Sequence, residues 1–175
     1  MSKIYQGIIY FNNKPIYDII LKAVNKKIAL WYLIRLYYES ERKDLFETFL
    51  DETKMYSCAI FEKESNSLEQ ASINKIKRIC QKLDLSSKDH VLEIGTGWGG
   101  FAIYATQNFG CKVTTTTISQ KQYEYTLKKV KTLGLENKIN ILQKDYRELT
   151  GRFDKLVSIE MIEAVGNHYY HDFFK

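Results

Sequence analysis

Apolar and polar positions follow two different periods in the second half of the chain. Four short apolar or β-branched runs predict strands; they are Val91–Ile94, Lys112–Thr117, Ile139–Leu142 and Leu156–Ile159. Between the first three runs, Gly99–Asn108 and Ser119–Leu133 have helical patterns, with Ser119 as the expected N-cap of the second helix. A strand–helix–strand–helix–strand order predicts a doubly wound α/β domain with a parallel sheet.

The residues before the first of these strands are predicted to be mainly helical. Leu68–Leu83 has the pattern of an amphipathic helix with lysines opposite its apolar stripe, and that stripe comprises Leu68, Ala71, Ile73, Ile76, Ile79, Cys80 and Leu83. Ile16–Tyr38 also reads as helical, and a charged turn separates it from a short helix predicted around Leu45–Leu50. The sequence therefore predicts a helical N-terminal cap over residues 1–67 and a Rossmann-like domain over residues 68–175.

Composition narrows the class of protein further. At 175 residues and 45% apolar residues, the chain has the size and content of one ordinary folded domain. No apolar run reaches the roughly 18 residues that a membrane span requires, and the N-terminus lacks a signal-peptide cleavage pattern. The three scattered cysteines, Cys58, Cys80 and Cys111, form no C-x-x-C pair. We therefore expect a cytoplasmic protein with neither a disulfide framework nor a metal site.

The net charge of +5 is concentrated at the N-terminus. Met1–Arg35 contains six lysines and arginines against the single acidic residue Asp18, whereas the remainder of the chain is neutral overall. A basic segment rich in aromatic residues can approach lipid headgroups or nucleic acid, or it can be the solvated face of a helix. The pattern alone leaves these alternatives open.

A glycine-rich stretch, HVLEIGTGWGGF, links the first predicted strand to the next helix. Gly95, Gly97 and Gly100 match the G-x-G-x-x-G pattern of dinucleotide-binding loops. Binding of NAD also requires an acidic residue at the end of the following strand, for the ribose hydroxyls. That strand ends instead in four threonines, Thr114–Thr117, so the sequence argues against a nicotinamide cofactor.

Glu93 lies two residues before the first glycine and extends the motif to E-x-G-x-G-x-G, which ends at Gly99. A carboxylate at this position is unfavourable beside a pyrophosphate but suits a cationic cofactor without phosphates. S-adenosylmethionine, with its sulfonium and ammonium groups, meets that description. The alternative is a tight strand-to-helix turn that binds no ligand.

Longer motifs from about Leu45 to the C-terminus resemble the cyclopropane-fatty-acyl-phospholipid synthase family. In order, they are LFETFLDETKMYSCAIF, VLEIGTGWGGFAIYA, VTTTTISQKQYEY, KDYREL and FDKLVSIEMIEAVG. The family comprises S-adenosylmethionine-dependent enzymes, including mycolic acid cyclopropane synthases and some methyltransferases. The resemblance implies a Rossmann-like class I methyltransferase sheet, which in the family continues with further strands beyond the fourth.

The same resemblance implies roles for individual residues. Residues matching the family's cofactor contacts are Tyr56 and Ser57 for the methionine end, Glu93, Gly95, Gly97 and Gly99 in the loop, Thr117 and Gln122 for the ribose, and Asp145 and Tyr146 for the adenine. The family also binds bicarbonate as its catalytic base, and Cys58, the Ile159 backbone and Glu163 match three of its ligands. Glu163 is the predicted catalytic carboxylate.

The implied reaction joins a methyl carbon to a cis double bond. The alkene attacks the sulfonium methyl, a base removes a proton from the new methyl group, and the ring closes. Unsaturated phospholipid acyl chains at the inner membrane surface are then the expected substrate. Simple methyl transfer to another lipid or small molecule is the alternative within the family.

The sheet predicted here is C-terminally incomplete relative to the family and leaves its fourth strand as an apolar edge. We therefore expect either a separate chain or a homodimer to complete it, or a truncated fragment without activity. Nucleic acid is not an expected partner, because no N/D-P-P-Y/F motif is present.

Overall fold

The computed structural model describes residues 3–11, 14–23 and 50–174. These residues belong to two compact units, which divide between Phe49 and Leu50. The second unit thus begins ahead of the predicted domain boundary at residue 67.

The first unit contains an antiparallel pair of strands, β1 (Lys3–Phe11) and β2 (Lys14–Ala23). The helix predicted from Ile16, and with it the all-helical cap, is therefore wrong over Ile16–Ala23. Isoleucines spaced at Ile16, Ile19 and Ile20 fit a helical stripe, but β-branched residues favour extended backbone, and a short window cannot separate the two periods. The remainder of that helix and the helix predicted around Leu45–Leu50 fall on residues 24–49, outside the described residues.

The second unit begins its regular structure with helix α1 (Leu68–Lys82). Ser67 and Gln70 form a capping box, in which the Gln70 N–H donates to Ser67 Oγ (3.2 Å) and the Ser67 N–H donates to Gln70 Oε1 (3.0 Å). The predicted helix is confirmed, but its buried face differs from the prediction. Leu68 is 41% exposed, whereas Lys75 is buried at 6%.

The sheet and its helices follow the predicted order closely. The elements are β3 (His90–Ile94), α2 (Gly100–Phe109), β4 (Lys112–Thr116), α3 (Gln120–Thr132), β5 (Ile139–Leu142) and β6 (Lys155–Ser158). The four strands are parallel in the order β5-β4-β3-β6, and Leu92 of β3 lies opposite Thr114 and Leu156. The predicted Rossmann-like α/β sheet is confirmed.

The strand order places the functional loops. From β3 the chain moves through β4 to β5 on one side, then returns to place β6 on the other side of β3. Right-handed crossovers place α2 and α3 on the same face of the sheet. Ligands in such sheets bind where the order reverses, outside the carboxyl ends of the two strands concerned. That position lies here beyond Ile94 and Ser158.

One continuous apolar core packs the helices against the sheet. Its largest fully buried apolar side chains come from α1, the two central strands and both following helices; they are Ile76, Val91, Phe101, Val113 and Val130. Two short helices, α4 (Ile162–Val165) and α5 (Tyr170–Phe173), follow β6. On the edge strand β6, Leu156 is 58% exposed. Within the described residues, no helix is long and apolar enough to cross a bilayer.

Candidate functional site

The turn between β3 and α2 depends on glycine. Gly95, Gly97 and Gly99 have φ values of 100°, 52° and 81°, in the left-handed region that residues with a Cβ atom rarely adopt. The N–H groups of Gly95 and Thr96 both donate to the carbonyl oxygen of Thr116, at 3.1 and 3.0 Å. The turn is thereby tied to the carboxyl end of β4 and held at the crevice.

Side chains from two distant segments lie within van der Waals range of this turn. A Cβ atom on Gly97 would lie 3.6 Å from Cε1 of Tyr56, and one on Gly95 would lie 3.4 Å from Sδ of Met161. Tyr56 precedes α1, whereas Met161 follows β6. The glycine turn therefore has on its two sides the segments that carry the other predicted site residues.

Glu93 is a buried carboxyl group at the end of β3, with 3% exposure. Burial raises its pKa from the ordinary value of 4.5 to about 8, although a hydrogen bond with the Thr115 hydroxyl favours the ionised form. Its Oε2 atom has no hydrogen-bond partner among the described residues. An unsatisfied buried carboxyl group is unfavourable in the protein alone and favours a cationic ligand.

The Tyr56 side chain is 54% exposed, and its ring lies against Gly97 of the glycine turn. Desolvation raises the pKa of its hydroxyl group, a hydrogen bond with Gln122 opposes that shift, and the carboxylates of Glu163 and Glu93 add to it. Gln122 Nε2 donates to the Tyr56 hydroxyl oxygen at 3.5 Å, and Thr117 Oγ1 donates to Gln122 Oε1 at 2.9 Å. The structure thus brings three predicted cofactor-binding residues into one hydrogen-bonded chain.

Ser57, the neighbour of Tyr56, has a partner that sequence reasoning missed. The Lys75 side chain on α1 is buried, and its Nζ donates a hydrogen bond to Ser57 Oγ. Desolvation lowers the pKa of Lys75, while the negative charge of Glu160 opposes that shift. The signal was present in the spacing, because Lys75 lies four residues after Ala71 and four before Ile79, on the inward stripe of the helix.

Two of the residues expected to hold bicarbonate, Ile159 and Glu163, follow β6, and the backbone N–H of the third, Cys58, already has a hydrogen-bond acceptor. The N–H of Cys58 donates to Oε1 of Glu160 at 3.1 Å. Ile159 is half-buried against the core, and Glu163 lies exposed on α4. A carboxylate on the Cys58 N–H repels a second anion, so the residues present do not fit bicarbonate at this place.

The predicted adenine contacts follow β5. Asp145 forms a two-point ion pair with Arg147, in which Nε lies 2.9 Å from Oδ1 and Nη2 lies 2.7 Å from Oδ2. These hydrogen bonds lower the pKa of Asp145 to about 2. The Tyr146 ring meets Phe173 edge to face, with ring centroids 5.3 Å apart. The roles of both residues in adenine binding stay predictions.

Comparison with known proteins gives a consistent result for most of the chain. A family model described as mycolic acid cyclopropane synthetase matches residues 26–175. The chain is 38% identical over 151 residues to the cyclopropane-fatty-acyl-phospholipid synthase of Escherichia coli (strain K12), covering 86% of this chain and 38% of that protein. It is also 38% identical over 133 residues to a probable fatty acid methyltransferase of Pseudomonas putida, covering 75% and 34% of the two chains.

The fold agrees with solved structures of similar sequence. The mycolic acid cyclopropane synthase CmaA1, solved in complex with SAH and CTAB, superposes with a TM-score of 0.73 at 31% identity. That superposition covers 76% of this chain and 47% of the solved one. The chain spans little more than a third of the length of the two curated relatives described above.

Proposed function

This chain belongs to the mycolic acid cyclopropane synthetase family, and on that basis we propose that it binds S-adenosylmethionine for transfer of a methylene group to lipid acyl chains. The substrate that we propose is the cis double bond of an unsaturated phospholipid. The observation that carries the proposal is Glu93, a buried carboxyl group with an unpartnered oxygen beside a left-handed glycine turn.

The residues at the crevice fit S-adenosylmethionine. The carboxyl group of Glu93, once ionised, would balance a cationic cofactor, and the glycine turn, bordered by Tyr56 and Met161, offers backbone without Cβ atoms of its own. Tyr56 and Ser57 would hold the methionine end, and the hydrogen-bonded pair Thr117 and Gln122 would hold the ribose. These four residues are already positioned by contacts with one another or with α1.

Bound S-adenosylmethionine would supply an electrophilic methyl group on a sulfonium centre. Attack by the alkene leaves positive charge on the acyl chain, and a carboxylate near that charge lowers the barrier. Glu163 is close enough to Tyr56 to raise the pKa of its hydroxyl group, so its negative charge lies near the proposed methionine end of the cofactor. We assign Glu163 two roles: its carboxylate would stabilise this cation and would accept the proton that the new methyl group loses as the ring closes.

Methyl transfer to another lipid is the second candidate function. Its support is the similarity to the Pseudomonas putida protein, which is named as a probable fatty acid methyltransferase.

For either reaction we propose that the protein acts at the cytoplasmic surface of a membrane, since the surplus of basic residues among the first 35 suits anionic headgroups. Within the described part of the chain β6 is the last strand of the sheet, which supports pairing with a strand of a second copy or of a separate chain.

The test uses S-adenosylmethionine with an isotopically labelled methyl group and vesicles of a monounsaturated phospholipid. We expect labelled acyl chains heavier by one methylene group, with upfield ring protons in the NMR spectrum for the cyclopropane product. A labelled product without ring protons selects the methyltransferase function. Vesicles of fully saturated lipid are the control and gain no label.

Variants assign the role of Glu163. Glu163→Gln removes the charge at nearly constant volume, and we expect product formation to fall by a factor of about 100 or more. Glu136→Gln, an exposed position after α3, is the matched control and keeps full activity. Equal activity of the two variants contradicts the assignment.

A further inference from the structure

Glu160, the second residue after β6, adopts a backbone conformation that is unusual for its type. Its φ value is 48°, in the left-handed region where a Cβ atom is crowded by the backbone. Such strain persists only where surrounding contacts hold it, and it is often found at functional positions. The contact that holds Glu160 is therefore of interest.

That contact is a hydrogen bond across 102 residues of chain, in which Cys58 N–H donates to Oε1 of Glu160. Cys58 follows Tyr56 and Ser57, which form the proposed methionine end of the cofactor site. Glu160 lies between Ile159 and α4, which carries Glu163. The Glu160 carboxylate thus occupies the backbone donor of Cys58, one of the residues that the family resemblance gives to bicarbonate.

The negative charge of the Glu160 carboxylate acts on the buried ammonium group of Lys75. Burial lowers the pKa of Lys75 on α1, and the negative charge of Glu160 opposes that shift more strongly than the charge of Asp51. Asp51 is already hydrogen-bonded to the Ser72 hydroxyl (2.7 Å) and the Thr53 N–H (2.7 Å). Among the acidic groups around Lys75, Glu160 therefore contributes most to keeping its ammonium group protonated.

We propose that the side chain of Glu160 replaces bicarbonate in this protein, occupying the Cys58 amide with a carboxylate that belongs to the chain. A free anion is then excluded from that amide, because it would compete with a tethered group and meet its negative charge. The proposal deepens the proposed function, on which its catalytic consequence rests. The anion-binding property itself can be tested without any turnover.

The experiment follows the Cys58 amide in ¹H–¹⁵N spectra of the full ¹⁵N-labelled chain during a titration with bicarbonate. In the wild-type protein we expect the Cys58 signal to be insensitive to bicarbonate. In Glu160→Gly the amide loses its acceptor, shifts upfield, and then moves saturably as bicarbonate is added, since the N–H is free and the tethered negative charge is gone. Glu160→Gln keeps an oxygen acceptor, so its Cys58 amide stays downfield.

A matched variant separates this effect from relief of backbone strain. Asp84 has the same φ value of 48° at the end of α1, so Asp84→Gly relieves similar strain without touching Cys58. Both glycine variants are suited to their backbone and should fold. Only Glu160→Gly is expected to change the Cys58 signal and to gain bicarbonate binding.

Three results overturn the proposal: a saturable bicarbonate shift of Cys58 in the wild-type protein, an unchanged Cys58 amide in Glu160→Gly, or no bicarbonate binding by that variant. Failure of the proposed function is read separately in the same samples. It is shown by the absence of shifts at Gly95 and Gly97 when S-adenosylmethionine is added.

Discussion

Replacing Glu93 by glutamine is expected to stabilise the cofactor-free protein at neutral pH and above. The wild-type carboxyl group is buried with a pKa of about 8, whereas in the unfolded chain it has its ordinary pKa near 4.5. Between these values the unfolded chain has lost a proton that the folded protein retains. The free energy of unfolding therefore falls as pH rises through this window.

The magnitude follows from that difference in bound protons. One proton corresponds to about 1.4 kcal/mol per pH unit, so between pH 4.5 and 7.5 the wild-type protein loses about 4 kcal/mol through Glu93. This is an upper limit, because relaxation and water entry reduce the penalty of a buried charge. Glutamine has no proton to lose and makes no such contribution.

Urea unfolding at a series of pH values measures the effect, with each free energy extrapolated to water. We expect the advantage of Glu93→Gln over wild type to be small near pH 4.5 and to grow towards pH 8. The exposed substitution Glu136→Gln is the control and should show no growing advantage. A difference between Glu93→Gln and wild type that stays constant with pH would refute the reasoning, because it would mean that Glu93 is ionised in the folded protein.

Two further substitutions test the packing around the glycine turn. Gly99→Ala places a Cβ atom 2.6 Å from Thr126 Cγ2, whereas the control Gly134→Ala has similar φ strain but no atom within 4 Å of its Cβ. In thermal unfolding we expect Gly99→Ala to be the less stable variant by about 1–3 kcal/mol. Equal stability of the two variants would exclude the contact with Thr126. Thr115→Val removes the hydroxyl group that hydrogen-bonds with Glu93 and with the Thr96 hydroxyl (2.7 Å). Urea unfolding should show a free energy of unfolding lower by about 1–3 kcal/mol. Thr115→Ser keeps the hydroxyl group and should retain most of that stability.

The sequence predicted the parts of this fold that depend on local signals. The strands alternate with capped helices, and the capping residue Ser119 accepts a hydrogen bond from the Gln122 N–H as the pattern requires. The glycine turn and its acidic neighbour Glu93 were equally visible, since left-handed turns restrict residue type strongly. Each of these features depends on residues close together along the chain.

Features that depend on distant contacts were harder to predict. The β2 strand is held by pairing with β1, and that pairing outweighed a helical spacing over Ile16–Ala23. The spacing along α1 indicates that Lys75 lies on the inward stripe, but its hydrogen bond with Ser57 joins two separate segments and could not be read from either. The hydrogen bond from Cys58 to Glu160 spans 102 residues and had no signal in either segment.

The pairing of Thr117 with Gln122 shows the intermediate case. The resemblance gave both residues a shared role, and they are only five residues apart, across the start of α3. The link from Gln122 to Tyr56, by contrast, spans 66 residues and became evident only in the folded chain.

Calorimetric titration with S-adenosylmethionine tests the central claim most directly, with NADH titrated into a matched sample. We predict one binding site for S-adenosylmethionine and no heat of binding for NADH. Binding of S-adenosylmethionine should be weaker in Glu93→Gln, because glutamine cannot release a proton and become the negative charge that balances a cationic cofactor. Binding of NADH to folded protein that gives no signal with S-adenosylmethionine would contradict the account.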